Sequence, residues 1–198
     1  MNLAFLKRPS VAAAMDMAQA LTECGAVRFG EFTLTSGQKS RYYVDVKAAM
    51  TNPGTLRMIG KAFAKVASEK GPFDAVAGME LGAVPLATAV SLEATLPLLI
   101  VRKSARTHGT GKRIEAPANW DMHGKRVFVV EDVTTSGGST AEAVEVLRAA
   151  GAIVTPAAVV VDRESGGVEK LASVGVELSP LTKVSQLLDT PQAREAMA

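Results

Sequence analysis

The stretch "VFVVEDVTTSGGST", Val127 to Thr140, decides how the rest of the chain is read. Four consecutive apolar residues are the pattern of a strand buried on both faces. Two carboxylates, Glu131 and Asp132, then stand side by side, and a run of hydroxyls and glycines opens into a helix-like segment (141–150). Gly137 and Gly138 permit a tight turn that exposes successive N–H groups. Thr134, Thr135, Ser136 and Ser139 add hydroxyl donors, and the turn feeds a helix N-terminus. Amides, hydroxyls and helix dipole together form a phosphate cradle. The carboxylates would repel a phosphate, so they must face another part of the same ligand. Vicinal sugar hydroxyls suit them, because each carboxylate accepts more than one hydrogen bond. The stretch therefore points to a ribose 5-phosphate, held by its diol at one end and its phosphate at the other. A capped helix after a strand-end turn is the plain reading of an isolated Gly/Ser/Thr run. Here the order of apolar strand, acidic pair and hydroxyl loop argues for the ligand. Neither GxxxxGK[ST] nor GxGxxG occurs, so this is not a Walker or dinucleotide loop.

Working outward, the same alternation recurs. Strand "FDAVAG" precedes a helix from Ala83 to Glu93; strand "LPLLIVRK" precedes a glycine-containing basic loop. Strand "RVFVVED" precedes a helix from Ser139 to Ala150, and strand "IVTPAAVVVD" follows it. Continuously apolar strands separated by helices predict an α/β fold, with a parallel sheet covered on both faces. Upstream, Ser10 is placed to cap a helix running to about Cys24, with Gly25 as its stop. Extended pieces at "VRFGEFTLTSG" and "YYVDVK" are joined by a turn at "SGQKS", and "TNPG" introduces a helix from Thr55 to Lys70. The last third reads as a short helix, a β piece and one or two terminal helices.

Composition bounds the function. The chain has 198 residues, 47% of them hydrophobic, which suits one domain with a substantial core. Glu93 breaks the apolar run from Gly82, and no stretch has the length of a membrane span. Asp16 interrupts the segment after Lys7 and Arg8, which suits a helix and not a secretion signal. The single cysteine, Cys24, cannot form an internal disulfide, so the expected location is a reducing cytoplasm. Net charge is +2, which argues against a general nucleic-acid binder. The charge is concentrated, however: "RKSARTHGTGKR", Arg102 to Arg113, holds five of the 22 basic residues and no acid, leaving 17 basic against 20 acidic elsewhere.

That basic segment reads either as a solvated loop or as a lid for a polyanion such as diphosphate. It lacks an aromatic residue to stack a base, which disfavours RNA. "GMELGAVPLA" could present amides to a phosphate, or could merely allow close strand–helix packing. Arg163, ending the last core strand in "VVVDRESGG", could pair with a ligand carboxylate or bridge to Asp162 or Glu164. Trp120, His123 and Cys24 are assigned packing or surface roles. There is no metal-ligand spacing and no GxSxG elbow.

Together these segments carry a resemblance. "VFVVEDVTTSGGST" resembles the PRPP-binding signature of the type I phosphoribosyltransferases. "FTLTSGQKSRYYVD", "RKSARTHGTGK" and "VVDRESGG" resemble the substrate segment, catalytic lid and orotate-binding strand end of the orotate phosphoribosyltransferases. They occur in the family's order, from Phe29 to Gly167. The resemblance implies a type I phosphoribosyltransferase-like open parallel sheet flanked by helices. It implies a single domain over 1–198, with a small hood from about 1–50 plus the C-terminal segment and a core of about 51–165. It also implies transfer of the phosphoribosyl group from PRPP to orotate in pyrimidine biosynthesis, with Mg²⁺ carried on PRPP.

Carried over residue by residue, Glu131 and Asp132 would hold the ribose hydroxyls and favour an oxocarbenium-like transition state. Val133, Thr134, Thr135, Ser136, Gly137, Gly138 and Ser139 would surround the 5′-phosphate, and Thr135 would also lie near orotate. Arg163 would recognise orotate; Arg102, Lys103, Arg106 and His108 would bind the diphosphate. The family's lid reaches into a neighbouring subunit, implying a homodimer with a shared lid, and neither nucleic acid nor a membrane is an expected partner. Many members have lysine where Arg106 stands, some have Tyr-Lys where Glu80 and Leu81 stand, and some have lysine at the position of Thr35. An arginine cannot readily lose a proton, so Arg106 is expected to act by charge alone. A phosphoribosyltransferase for a purine or another pyrimidine is disfavoured by Arg163 and the "TSGQKSRYY" segment. A PRPP-sensing transcriptional regulator is disfavoured too, since only about 25 residues precede the substrate-like segment.

Overall fold

The computed structural model of the chain describes residues 16–33, 39–104 and 112–197. Helix α1 (Met17–Glu23) leads into an antiparallel pair, β1 (Val27–Thr33) and β2 (Lys39–Val44), whose register shifts between Phe29 and Phe32. Helices α2 (Val46–Thr51) and α3 (Pro53–Lys70) follow. Then come β3 (Ala75–Met79), α4 (Val84–Ala94), β4 (Leu98–Val101) and a short β5 (Ile114–Glu115). Strand β6 (Val127–Thr134), α5 (Gly138–Ala149), β7 (Pro156–Asp162), α6 (Gly167–Ser173) and β8 (Glu177–Lys183) complete the alternation. Helices α7 (Val184–Leu188) and α8 (Pro191–Met197) end the described chain. The main sheet runs β5-β4-β3-β6-β7-β8, parallel throughout except for the antiparallel β4–β5 edge.

The apolar strands are buried on both faces, and alternation sorts their side chains between two cores. On β6, Phe128 and Val130 join Ile59 and Phe63 of α3 and Leu86 and Val90 of α4. Val127 and Val129 point the other way, toward Val144 and Leu147 of α5 and Leu171 of α6. The continuous apolar spelling of β3, β6 and β7 thus reflects a sheet sandwiched between helices. Away from this sheet, α1 packs on α7 and α8 on β1, and Arg41 Nη2 donates to the Met197 carbonyl at 3.0 Å.

Several boundaries differ from the sequence expectation, each for a local reason. The extended piece "YYVDVK" stops at Val44: the Asp45 carboxylate accepts the Lys47 N–H at 3.1 Å and opens α2, a helix the sequence reading did not anticipate. Helix α3 begins at Pro53, two residues early, because Asn52 Oδ1 caps Gly54 and Thr55 and proline suits the first turn. Strand β7 begins at Pro156; Ile153 makes only an isolated bridge to Arg126. Strand β5 was not foreseen either. Ser10, Thr35 and residues 36–38 of the expected turn lie outside the described residues. The tail follows the expectation, with α6, β8 and two terminal helices.

Phe128 is fully buried, its ring centroid 5.2 Å from that of Phe73. Phe128→Ala should lower unfolding free energy by about 3–5 kcal/mol in denaturant titration. A loss under about 1 kcal/mol would mean that this face is not close-packed.

Candidate active site

The sheet order places a crevice where the chain reverses its direction of winding. From β3 the chain moves outward to β4, then returns to lay β6 on the other side of β3. Ligands of open parallel sheets bind at the carboxyl ends of strands flanking such a reversal. The carboxyl end of β6 carries Glu131 and Asp132; the segment after β3 carries Gly82. A Cβ on Gly82 would lie 2.5 Å from Asp132 Oδ2, so only glycine lets the two strand ends approach this closely. Close strand–helix packing holds at Gly78 of the same "GMELGA" segment, where a Cβ would meet the Ala83 carbonyl at 2.6 Å. The Glu80–Leu81 peptide between them is cis.

The two carboxylates are not equivalent. Glu131 is only 6% exposed, whereas Asp132 is partly open. Burial pushes the Glu131 carboxyl up to about 8, and the adjacent Asp132 charge adds to the push, while Lys103 pulls weakly the other way. Asp132 N–H donates to Glu131 Oε1 at 3.1 Å, and Val133 N–H donates to Asp132 Oδ1 at 2.8 Å. Lys47 Nζ, from α2, lies 3.8 Å from Asp132 Oδ2.

Beyond β6 the chain forms a polar concavity of about 240 Å³ lined by Val133 through Thr140. Gly137 adopts φ +75°, and a Cβ there would also sit 2.9 Å from the Gly167 carbonyl. Gly138 is different: it begins α5, and a Cβ there would make only an ordinary contact with Ser136 Oγ at 3.8 Å. Only Gly137 is needed for the turn. Thr135, Ser136, Gly138 and Ser139 are exposed, and no side chain caps α5. Thr134 is buried, its hydroxyl without a hydrogen-bond partner. This loop offers amides and hydroxyls to an oxyanion beside a carboxylate pair.

The foot of the basic segment is held by acids. Glu80 Oε1 accepts the Lys103 N–H at 2.9 Å, and Glu80 Oε2 lies 3.9 Å from Arg102 Nη1. Arg102 also faces Glu115 at 3.6 Å, and its Nε is buried without a partner. Arg113 Nη2 reaches the carbonyls of Arg102 and Lys103, each at 2.9 Å, and Glu142 of α5 at 2.6 Å. At the end of β7, Arg163 N–H donates to the Thr134 carbonyl at 2.9 Å, which fixes this residue beside the loop. Among the described residues its guanidinium makes no ion pair with Asp162 or Glu164. Asp162 instead accepts the Glu164 N–H, and Glu164 accepts the Ser185 N–H, which holds the Glu164 carboxyl below its usual range.

Residues 45–185 match the phosphoribosyl transferase domain family. An orotate phosphoribosyltransferase of Methanosarcina mazei is 52% identical over 87% of this chain and 90% of its own length. The chain belongs to the orotate phosphoribosyltransferase family. The crystal structure of orotate phosphoribosyltransferase from Aeropyrum pernix superposes with a TM-score of 0.76 at 33% identity, covering 87% of this chain and 96% of that one. A Mycobacterium tuberculosis H37Rv orotate phosphoribosyltransferase in complex with PRPP superposes at 0.71, with 30% identity over 86% of this chain and 96% of that one.

Within this member of the orotate phosphoribosyltransferases, Glu131, Asp132 and the residues from Val133 to Ser139 lie together at the end of β6, with the Arg163 backbone bonded beside them. Lys103 is near enough to act on Glu131. Arg106 and His108 lie outside the described residues. Sequence reasoning missed Lys47, and it reached Glu80, Gly82 and Arg113 only as members of their segments, without the contacts each makes. The pairing of Glu80 with Lys103 and of Arg113 with Glu142 spans 23 and 29 residues, which no local pattern reports.

Glu131 binds its proton more tightly in the folded chain than in the unfolded one, so stability falls as pH rises from about 4.5 toward 8. Glu131→Gln removes that slope. Thermal melts of both proteins across this range should diverge in the variant's favour by about 1 kcal/mol or more. Parallel curves would contradict the raised carboxyl.

Proposed function

We propose that the chain transfers the 5-phosphoribosyl group of PRPP to orotate, giving orotidine 5′-monophosphate and diphosphate in de novo pyrimidine biosynthesis. The observation that carries this reading is the single strand end that presents both an acidic pair and a phosphate cradle. The relatives named above support the choice of orotate. The bond from the anomeric carbon to diphosphate breaks with its electron pair leaving on oxygen, and a ring nitrogen of orotate supplies the pair for the new bond. Positive charge grows on the sugar between these events, so the carboxylates belong beside it and the cations beside the leaving group.

In this reading Asp132 and Glu131 accept from the ribose hydroxyls, and the amides and hydroxyls from Val133 to Ser139 receive the 5′-phosphate. Thr135 and Arg163 meet orotate, the arginine through its carboxylate. Arg102, Lys103, Arg106 and His108 receive diphosphate, Arg106 by charge alone. Glu80 and Glu115 hold Arg102 in position until that ligand arrives.

Mg²⁺ fits the donor set as an ion carried on PRPP. Mg²⁺ takes hard oxygen ligands, and no group of three or more His, Cys, Asp or Glu among the described residues could hold it on the protein alone. Diphosphate and water oxygens would complete its shell. When bound, it neutralises charge on the leaving group.

The chain would act as a single domain over 1–198, the segments up to about 50 and the C-terminal segment forming a hood over the core. It would work as a cytoplasmic homodimer sharing the basic lid. No helix among the described residues is long and apolar enough to cross a membrane.

Loss of orotate absorbance on adding PRPP and Mg²⁺ tests the reaction; no change, with product formed from adenine or xanthine, would overturn it. Asp132→Asn should lower kcat by about a hundredfold while the melting curve stays in place. Unchanged turnover would remove Asp132 from the chemistry. Lys103→Ala and Arg163→Ala subunits, each inactive alone, should regain activity when mixed. No recovery in verified heterodimers would argue against a shared lid.

A further inference from the structure

The antiparallel β4–β5 edge sets Val101 against Ile114, so Arg113 stands opposite Arg102, whose N–H donates to the Arg113 carbonyl at 2.8 Å. The Arg113 guanidinium then turns back on the same strand end. Its Nε and Nη2 donate to the Arg102 carbonyl at 3.1 and 2.9 Å, and Nη2 also reaches the Lys103 carbonyl at 2.9 Å. The N–H of the Arg102–Lys103 peptide is taken as well, by Glu80 Oε1 at 2.9 Å. One planar unit is therefore held at both edges by charged side chains, which restrains the direction in which Arg102 and Lys103 leave the backbone. The same Nη2 meets Glu142 Oε1 at 2.6 Å. Glu142 lies on α5 one turn beyond Gly138, where the glycine and hydroxyl loop ends.

We propose that Arg113 is a positioning residue for PRPP: it sets the spacing between the cations assigned to diphosphate and the cradle assigned to the 5′-phosphate. The inference rests on the phosphoribosyl-transfer reading above and deepens it. PRPP carries an anion at each end of one sugar, so the protein must present two anion sites at a matching separation. Arg102 and Lys103 leave the end of β4, whereas the cradle runs from β6 into α5. In the sheet β3 separates β4 from β6, so no ladder hydrogen bond sets that separation directly. The guanidinium spans it, with two carbonyls of one element and a carboxylate of the other in a single planar fork. A lysine ammonium lacks the fork that would take all three. The Arg113 and Glu142 side chains are 31% and 46% accessible, so the tie to α5 is worth less than the combined hold on the carbonyls.

The test titrates the full-length chain calorimetrically with ligands that differ in their anionic ends. PRPP with Mg²⁺ carries both ends, diphosphate with Mg²⁺ carries one, and orotidine 5′-monophosphate carries the other. Arg113→Met should weaken PRPP and diphosphate about tenfold, the scale of one hydrogen bond to a charged group, and leave orotidine 5′-monophosphate within about twofold. Glu142→Gln keeps the hold on the carbonyls. It should weaken PRPP about two- to fivefold and leave diphosphate alone unchanged. Equal losses for all three ligands would make Arg113 a general support of the fold and overturn the inference, as would unchanged PRPP affinity in either variant. If Arg113→Met does not fold, Glu142→Gln decides by the same comparison. A wild-type chain that binds no PRPP would instead overturn the underlying reading.

Discussion

Two adjacent carboxylates at the end of the central strand, one buried and one open, impose the constraint on which the site depends. A β-strand points successive side chains to opposite faces, so neighbours in sequence meet different surroundings. Glu131 turns into the protein, where burial favours its proton-bound form; Asp132 faces the crevice. The sheet order then brings the segment after β3 against Asp132, which only a glycine at position 82 permits. Chemistry and packing meet in the same few atoms.

Much of this was legible in the sequence. The apolar runs of β3, β6 and β7 read as strands covered on both sides, and the order of Val127 to Thr140 puts an acidic pair and a hydroxyl loop at one strand end, where the structure has them. Other features were legible only as pairs of alternatives. By sequence Arg163 stands between a ligand and its acidic neighbours, and the geometry turns those neighbours to backbone amides instead. The basic segment was read by its charge, but not by the acids that hold its foot. Those acids, Glu80, Glu115 and Glu142, come from separate elements, and ion pairs across such separations leave no periodic trace.

Helix α2 shows why local reading falls short at the hairpin. "YYVDVK" alternates like a strand, yet Asp45 finds the Lys47 amide and starts a helix. Short polar side chains compete with ladder hydrogen bonds in this way wherever the chain leaves a sheet. The competition reaches the site, because it brings Lys47 within 3.8 Å of Asp132. A continued strand would have sent residue 47 elsewhere.

The Arg113 guanidinium, bound to the carbonyls of Arg102 and Lys103 and to Glu142, has a consequence for the segment's tolerance of change. It pins the two ends of that segment together, so the residues between them form a closed ring of chain. The entropy of closing a ring grows only with the logarithm of its length. Insertions or deletions of a residue or two at its tip thus cost the fold little, so long as the pinned ends keep their partners. Through Glu142 the same guanidinium ties those ends to α5, the helix that opens from the glycine and hydroxyl loop.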